Sequence, residues 1–130
     1  MRIFLPLKAS ELCDVRPPRR DGMCPLENSD DAAEEALYEA AFASMELSFA
    51  EGVLPVRVVA VGEGPLTTWD DVESFHVESE RGIAIARRML HIEDQEVLDA
   101  AVEEIFEQPL HWYDVTELPL LRSVLGSCDS

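Results

Sequence analysis

The segment VRVVAVGEGPLTTWDDVESFHVES, residues 56–79, decides which fold the sequence predicts. Its first part carries valines on both alternating faces and ends in two glycines, which is typical of a strand buried on both sides. Its last part alternates, with Phe75 and Val77 on one face and His76 on the other, which indicates a half-buried strand. Between them, a threonine and an aspartate form a capping pattern for a single helical turn. The two strands therefore follow each other without a long intervening helix.

Further strands and helices are predicted on either side of this central pair. The opening residues MRIFLPL alternate in a way that predicts a first strand, apolar on both faces. The run 31–51 starts with an Asp-x-x-Glu capping pattern and stops before a glycine, which indicates a long helix. Apolar residues at helical spacing predict two more helices, over 80–92 and 94–108. A fourth strand is predicted over 110–115, and a short terminal helix follows it up to Gly126.

This order of elements is that of the ferredoxin-like split βαβ sheet. We therefore predict an α+β fold, as a single domain over residues 1–130, with four strands, helices on one face and a short C-terminal helix. The first and third strands would be central, and the outer face would carry Phe4 and His76 in one register. Because the first two strands are apolar on both sides, the terminal helix or a second copy of the chain should cover that face. A homodimer through the outer sheet face is thus one candidate assembly.

The charge of the chain restricts its partners. The chain has 27 acidic and 10 basic residues, which gives a net charge of -17 at pH 7. Such a surface repels phosphate backbones and anionic lipids, so we expect no direct nucleic-acid binding and no membrane binding.

The apolar run at the start is too short for a signal peptide, and the chain has 3 widely spaced cysteines. These features favour a cytoplasmic protein with reduced thiols over a disulfide framework or a zinc site.

An irregular loop is predicted over residues 13–30, because prolines and glycine interrupt every periodic pattern there. It holds three of the scarce bases, Arg16, Arg19 and Arg20. One interpretation is an anion-binding or partner-docking loop. The other is a solvated loop whose arginines offset nearby carboxylates, which we favour because clustered charge usually marks a solvated face.

The segment LHWYDVTELP, residues 110–119, combines an imidazole, an indole, a phenol, a hydroxyl and two carboxylates. Each polar group has a structural explanation, since Asp114 and Thr116 at a strand end are suited to hydrogen bonds with turn amides. The alternative is an exposed patch at the strand terminus, with a histidine of the third strand nearby. The residues of this candidate site are His76, His111, Tyr113, Asp114 and Glu117.

No catalytic, cofactor-binding or metal-ligating set is predicted. The sequence has no GxSxG motif, and the glycine-rich GEGPLT lacks the lysine of a phosphate-binding loop. In the expected strand order, His76 and His111 would lie about 9–10 Å apart, at two strand spacings, which is too far to share one zinc ion. Whether the protein is an enzyme is therefore open, and a non-enzymatic role is favoured.

Four segments carry a resemblance to a known group of proteins: RIFLP at the start, EEALYEAAFASMEL in the long helix, FHVES, and WYDVTELP near the end. Together they resemble an uncharacterised family of short acidic proteins from high-GC Gram-positive bacteria, a domain of unknown function. The resemblance spans most of the chain but not the loop over 13–30. It implies a cytoplasmic single domain and brings no activity, cofactor or catalytic residue.

Three functional hypotheses follow. The first is a small non-enzymatic protein that acts through protein–protein contacts, with acidic helix faces that attract a basic partner. The second is a small-molecule-binding or catalytic domain with a site near Tyr113, Asp114 and His76, which a strongly raised carboxylate pKa would favour. The third is a mimic of nucleic acid, although the acidic residues are spread over several elements. We favour the first.

Overall fold

A computed structural model describes residues 1–126. It has an α+β fold, as predicted, built on a four-stranded antiparallel sheet. The strands are β1 (Arg2–Leu7), β2 (Val58–Glu63), β3 (Val72–Val77) and β4 (His111–Asp114). The α-helices are α1 (Asp30–Ala50), α2 (Glu80–Met89), α3 (Gln95–Phe106) and α4 (Leu118–Leu121). Short 3-10 turns lie at Ala9–Cys13, Trp69–Asp71 and Val115–Glu117, and a π-helical turn follows α4 at Arg122–Gly126.

The order of strands in the sheet corrects one prediction. The order is β1–β2–β3–β4, and every neighbouring pair is antiparallel. The central strands are β2 and β3, so the ferredoxin-like order, with the first and third strands in the centre, is wrong. The chain that leaves α1 enters β2 next to β1 and antiparallel to it, with Leu5 opposite Ala60. No crossover to a parallel strand therefore occurs. Both topologies have the same elements in the same order along the chain, so this order cannot distinguish them.

Helices cover both faces of the sheet, whereas the sequence predicted helices on one face only. The inner face belongs to the larger core, in which it packs with residues of α2, α3 and α4. The sheet residues of the inner face are Leu5, Leu7, Val58, Ala60, Phe75 and Val77. The outer face carries Phe4, Val59 and Val61, which pack against Ala36, Ala40 and Ala41 of α1.

The coverage of the outer face bears on the candidate homodimer. Phe4 and His76 do share the outer face, as the alternation of the strands predicted. However, α1 covers the part of this face above β1 and β2. A second copy of the chain therefore has no access to that part. On the rest of the outer face Ser74 is buried, whereas His76 is half-buried and Trp112 is exposed.

Small side chains let α1 approach the sheet closely. Its buried positions are mainly alanine and serine, and the hydroxyl of Ser44 joins the helix to two strands. The Ser44 Oγ donates to the carbonyl oxygen of Leu7 at 2.6 Å and accepts from the Val58 amide at 2.9 Å. The helix begins at Asp30, one residue earlier than predicted, and Ser29 rather than Asp31 is the N-cap, which accepts from the amide of Ala32.

The predicted irregular loop has little regular structure but is tied to the sheet. Met23 pairs with Phe4 through two backbone hydrogen bonds of 2.8 and 2.9 Å, which occupy the free edge of β1.

Cys13 is disulfide-bonded, so the expectation of reduced thiols is wrong at this residue, whereas Cys24 is an exposed free thiol.

Among residues 1–126, no helix combines the length and the apolar character needed to cross a bilayer.

Candidate functional site

The structure divides the predicted patch between the two faces of the sheet. His76 lies on the outer face, where it is opposite Trp112 of the neighbouring strand. His111 and Tyr113 alternate with Trp112 and therefore lie on the inner face. The two histidines belong to adjacent strands rather than to strands two spacings apart, but their imidazoles project from opposite faces. They cannot act together on one substrate or one metal ion.

The two carboxylates of the patch are engaged in a turn. The Asp114 carboxylate accepts from the amide of Thr116 at 3.0 Å and from its hydroxyl at 2.7 Å. These hydrogen bonds with Thr116 hold the pKa of Asp114 below its usual value. Glu117 reaches back and accepts from the Asp114 amide at 3.1 Å, which completes a capping box. Asp114 therefore has the structural role that the turn composition indicated, and Glu117 belongs to the same turn.

A cavity of about 470 Å³ lies next to the inner-face members of the patch. His111 and Tyr113 line it together with α2, α4 and the turn after α4. Its size is in the range of small-ligand pockets. Within residues 1–126, however, no group of three or more histidine, cysteine or acidic side chains is placed to hold a metal ion.

The outer face contains a buried ion pair that the sequence did not reveal. Arg57 precedes β2, Glu78 follows β3, and both side chains are almost fully buried, at 4% and 0% exposure. The guanidinium donates to the two carboxylate oxygens at 2.8 and 2.6 Å, and the Arg57 amide donates to one of them at 3.1 Å. A further bond runs to the carbonyl oxygen of Gln108 at 2.8 Å, and the Phe106 ring lies 4.9 Å from the guanidinium carbon. We call this arrangement the buried pair.

Exposed aromatic side chains lie beside the buried pair. Phe106 is in contact with Tyr38, at 5.0 Å between ring centroids, and with Phe42, at 5.8 Å. A groove of about 210 Å³ continues from these rings past Leu110 to His76. Trp112 is next in line, because it shares the outer face with His76 directly opposite. We call this surface the aromatic strip; its members are Tyr38, Phe42, Phe106, Leu110 and Trp112.

The surroundings of the aromatic strip are acidic. Glu34 lines the groove, and α1 and α3 contain only acids among their charged residues, six and four respectively. Among the described residues that line the groove, Arg57 is the one cation, and the carboxylate of Glu78 neutralises it. Partial burial, and to a smaller extent the charge of Arg2, lower the pKa of His76, so its imidazole is neutral at pH 7. The strip therefore combines apolar contact area with a negative rim.

The sequence alone does not reveal the buried pair or the contacts of the aromatic strip, because both depend on how distant segments pack. Arg57 reads as one polar residue at the start of a valine-rich strand, and Glu78 as the last solvent-facing residue of another. Only the register, with Val58 opposite Val77, places the two side chains against each other. The aromatic residues Tyr38 and Phe42 lie at helical spacing in the sequence, but their contact with Phe106 depends on how α3 packs.

Comparison with family models, with curated proteins and with solved structures found no match to the chain.

Proposed function

We propose that the protein is a small acidic, non-enzymatic protein that binds a basic protein through the aromatic strip. The observation that carries this proposal is the exposure of large apolar rings on one surface. Tyr38 is 57% exposed, Phe42 39% and Trp112 60%. Tyrosine and tryptophan are enriched at the energetic centres of protein interfaces, where their rings bury much area at a small entropic cost.

Charge favours a basic partner over a second copy of this chain. Two copies would bring together two surfaces of the same negative sign, and each chain carries a net charge of -17. A basic protein would gain from the acidic rim, both in its rate of association and in specificity. For the same reason, direct nucleic-acid binding and membrane binding do not form part of the proposal.

A small-molecule-binding or catalytic site is the second candidate function. The cavity beside His111 and Tyr113 favours it, since its volume suits a small ligand. Two observations count against the site near Tyr113, Asp114 and His76: His76 lies on the other face, and the pKa of Asp114 is lowered rather than raised. A nucleic-acid mimic has less support, because the ten acids of α1 and α3 are interrupted by the apolar strip.

The cellular setting is also part of the proposal. The resemblance of RIFLP, FHVES and WYDVTELP to a family of short acidic bacterial proteins supports a cytoplasmic location. The disulfide at Cys13 counts against it, because the cytosol keeps most thiols reduced. Alkylation of intact cells, followed by reduction and a second label, would report whether Cys13 is oxidised where the protein resides.

The test compares the native chain with two double variants. Tyr38→Ala/Trp112→Ala removes two anchors of the strip, and Val15→Ala/Leu26→Ala removes two apolar residues that are 89% and 98% exposed elsewhere. Each chain is immobilised and exposed to an extract of the source organism. Bound proteins are quantified by mass spectrometry, and any stoichiometric partner is then purified and recombined with each chain.

The proposal predicts one basic protein that binds the native chain and the Val15→Ala/Leu26→Ala control alike, and that is lost from the strip variant. Its binding should weaken with added salt, because the charge contribution is screened. Equal retention by the strip variant would reject the strip as the contact surface. Recovery of a tightly bound small molecule and no stoichiometric protein would favour the second candidate function instead.

A further inference from the structure

A second surface, at the β1 edge of the sheet, has the features of an anion site. The loop over residues 13–30 and the turn after β2 enclose a cavity of about 410 Å³. Arg16, Arg19 and Arg20 all line it, together with one acid, Asp21. Three cations against one anion is an exceptional local balance in a chain with 27 acids and 10 bases. We call this the arginine cavity.

The arginine cavity is held in shape by contacts that do not involve Arg16 or Arg19. Arg20 donates to both carboxylate oxygens of Glu11, at 2.8 and 3.0 Å, and to the carbonyl oxygen of Pro6 at 2.9 Å. Burial alone would raise the pKa of Glu11, but the bonds from Arg20 and from the Lys8 amide bring it below its usual value. Glu11 is therefore charged, and Arg20 is fixed as a wall of the cavity rather than free to bind.

Two further contacts fix the rest of the loop. The backbone bridge between Met23 and Phe4 attaches it to β1. Gly22 lies so close to Ile3 that a side chain there would collide with it. In addition, Pro17 is buried, and the two prolines at 17 and 18 restrict the backbone between the arginines. A loop fixed in this way loses little entropy when a ligand binds.

Arg16 and Arg19 are the unused cations of this arrangement. Within residues 1–126, the ion pairs and side-chain hydrogen bonds do not engage either of these two, whereas they engage Arg2, Lys8, Arg20, Arg57, Arg88 and Arg122. A pair of guanidinium groups presents forks of N–H donors that match the oxygens of a carboxylate or phosphate. The base of the cavity is apolar, because Ile3, Leu5 and Leu66 line it.

We infer that the arginine cavity binds a small organic anion. Its carboxylate or phosphate would be held by Arg16 and Arg19, and its apolar group would pack on Ile3 and Leu66. The ligand must be small, since an extended polyanion would meet the acidic remainder of the surface. This site is separate from the aromatic strip and does not depend on the function proposed for it.

Phenyl phosphate is a suitable probe, because it joins an aromatic ring to a phosphate. Binding is measured by calorimetry and by amide chemical shifts, with inorganic phosphate and phenol as the two halves of the probe. The test variant is Arg16→Gln/Arg19→Gln. The matched control, Arg81→Gln/Arg87→Gln, removes the same charge from exposed positions of α2.

The inference predicts that phenyl phosphate binds at least about tenfold more tightly than either half and shifts the amides of the loop and of Leu66 and Thr67. The Arg16→Gln/Arg19→Gln chain should lose at least about tenfold in affinity, while the α2 control changes by less than about twofold. Unchanged amide spectra elsewhere would show that the variant is folded. The inference is overturned by no binding, by equal binding of inorganic phosphate, or by equal losses in the two variants.

Discussion

The buried pair and the aromatic strip lie side by side on the outer face but differ in their exposure to water and in what they contribute to the fold. In the buried pair, two charges are removed from water and are hydrogen-bonded to each other and to the Gln108 carbonyl oxygen. In the aromatic strip, the rings of Tyr38, Phe42 and Trp112 stay in contact with water, at 39–60% exposure. The first arrangement contributes to the fold only while it is complete. The second contributes little to the fold and is available for binding.

Breaking the buried pair should have the largest effect on stability. Glu78→Gln leaves the Arg57 guanidinium buried without a counter-charge, and such changes cost about 3–5 kcal/mol. Replacing both residues by apolar ones, Arg57→Met/Glu78→Leu, should cost much less, because no charge is then left buried. Denaturant unfolding of the native chain, the single variant and the double variant measures both values. A loss below about 1 kcal/mol for Glu78→Gln would contradict the view that the charge of Arg57 is buried and needs its counter-charge.

Two buried serines of α1, one helical turn apart, differ in whether their hydroxyls have hydrogen-bond partners. Ser44 and Ser48 are both 0% exposed, but only Ser44 has hydrogen-bond partners for its hydroxyl within residues 1–126. Ser44→Ala should lower the free energy of unfolding by about 1–3 kcal/mol, since it leaves the Leu7 carbonyl and the Val58 amide without a partner. Ser48→Ala should be neutral or stabilising. Equal losses of unfolding free energy in the two variants would show that the hydrogen bonds of Ser44 add nothing to stability.

The turn after β4 should be less sensitive, because its polar groups are exposed to water. Asp114→Ala removes the acceptor for the Thr116 amide, and loss of such a cap should lower Tm by about 2–5 °C. Calorimetry measures the shift. The pH adds a second check: the lowered pKa of Asp114 means that its contribution is present above the usual aspartate range and is lost as pH falls through the folded-state pKa. A variant as stable as the native chain at pH 7 would argue against the capping role.

The smallest effect on stability is expected from His76, on the border between the two regions. Its pKa is lowered in the fold, so the unfolded chain takes up a proton more readily, and stability falls as pH drops below about 6.5. His76→Gln should reduce the difference in unfolding free energy between pH 7 and pH 5. His91→Gln, at an exposed position, controls for the loss of one imidazole. If His76→Gln kept the full native pH dependence, the burial of His76 would have no energetic consequence.

The elements of this fold were readable from the sequence, but their pairing was not. Alternation in VESFHVES and helical spacing in α1 and α3 located each element to within a few residues, because those patterns are local. The neighbours of β1 depend on whether α1 leads to a parallel or an antiparallel strand, and no local pattern distinguishes the two. The buried pair depends on the same information, since Arg57 and Glu78 meet only through the register of β2 and β3.

The predicted patch shows the same limit. The turn role of Asp114 could be foreseen because its partner, the amide of Thr116, lies two residues away. The separation of His76 from His111 and Tyr113 could not, since it depends on which strands are neighbours. The exposure of Trp112, which is 60% exposed on the outer face, depends on the same information, because the sequence does not show which part of that face α1 covers.

The most direct test of the central claim is the dissociation constant between the purified basic partner and the Tyr38→Ala/Trp112→Ala chain. Both rings are largely exposed, so the variant should unfold at nearly the native denaturant concentration, and its folding provides the internal control. The account predicts binding at least about 100-fold weaker than that of the native chain, with the Val15→Ala/Leu26→Ala chain unchanged. A dissociation constant within about twofold of the native value would contradict it.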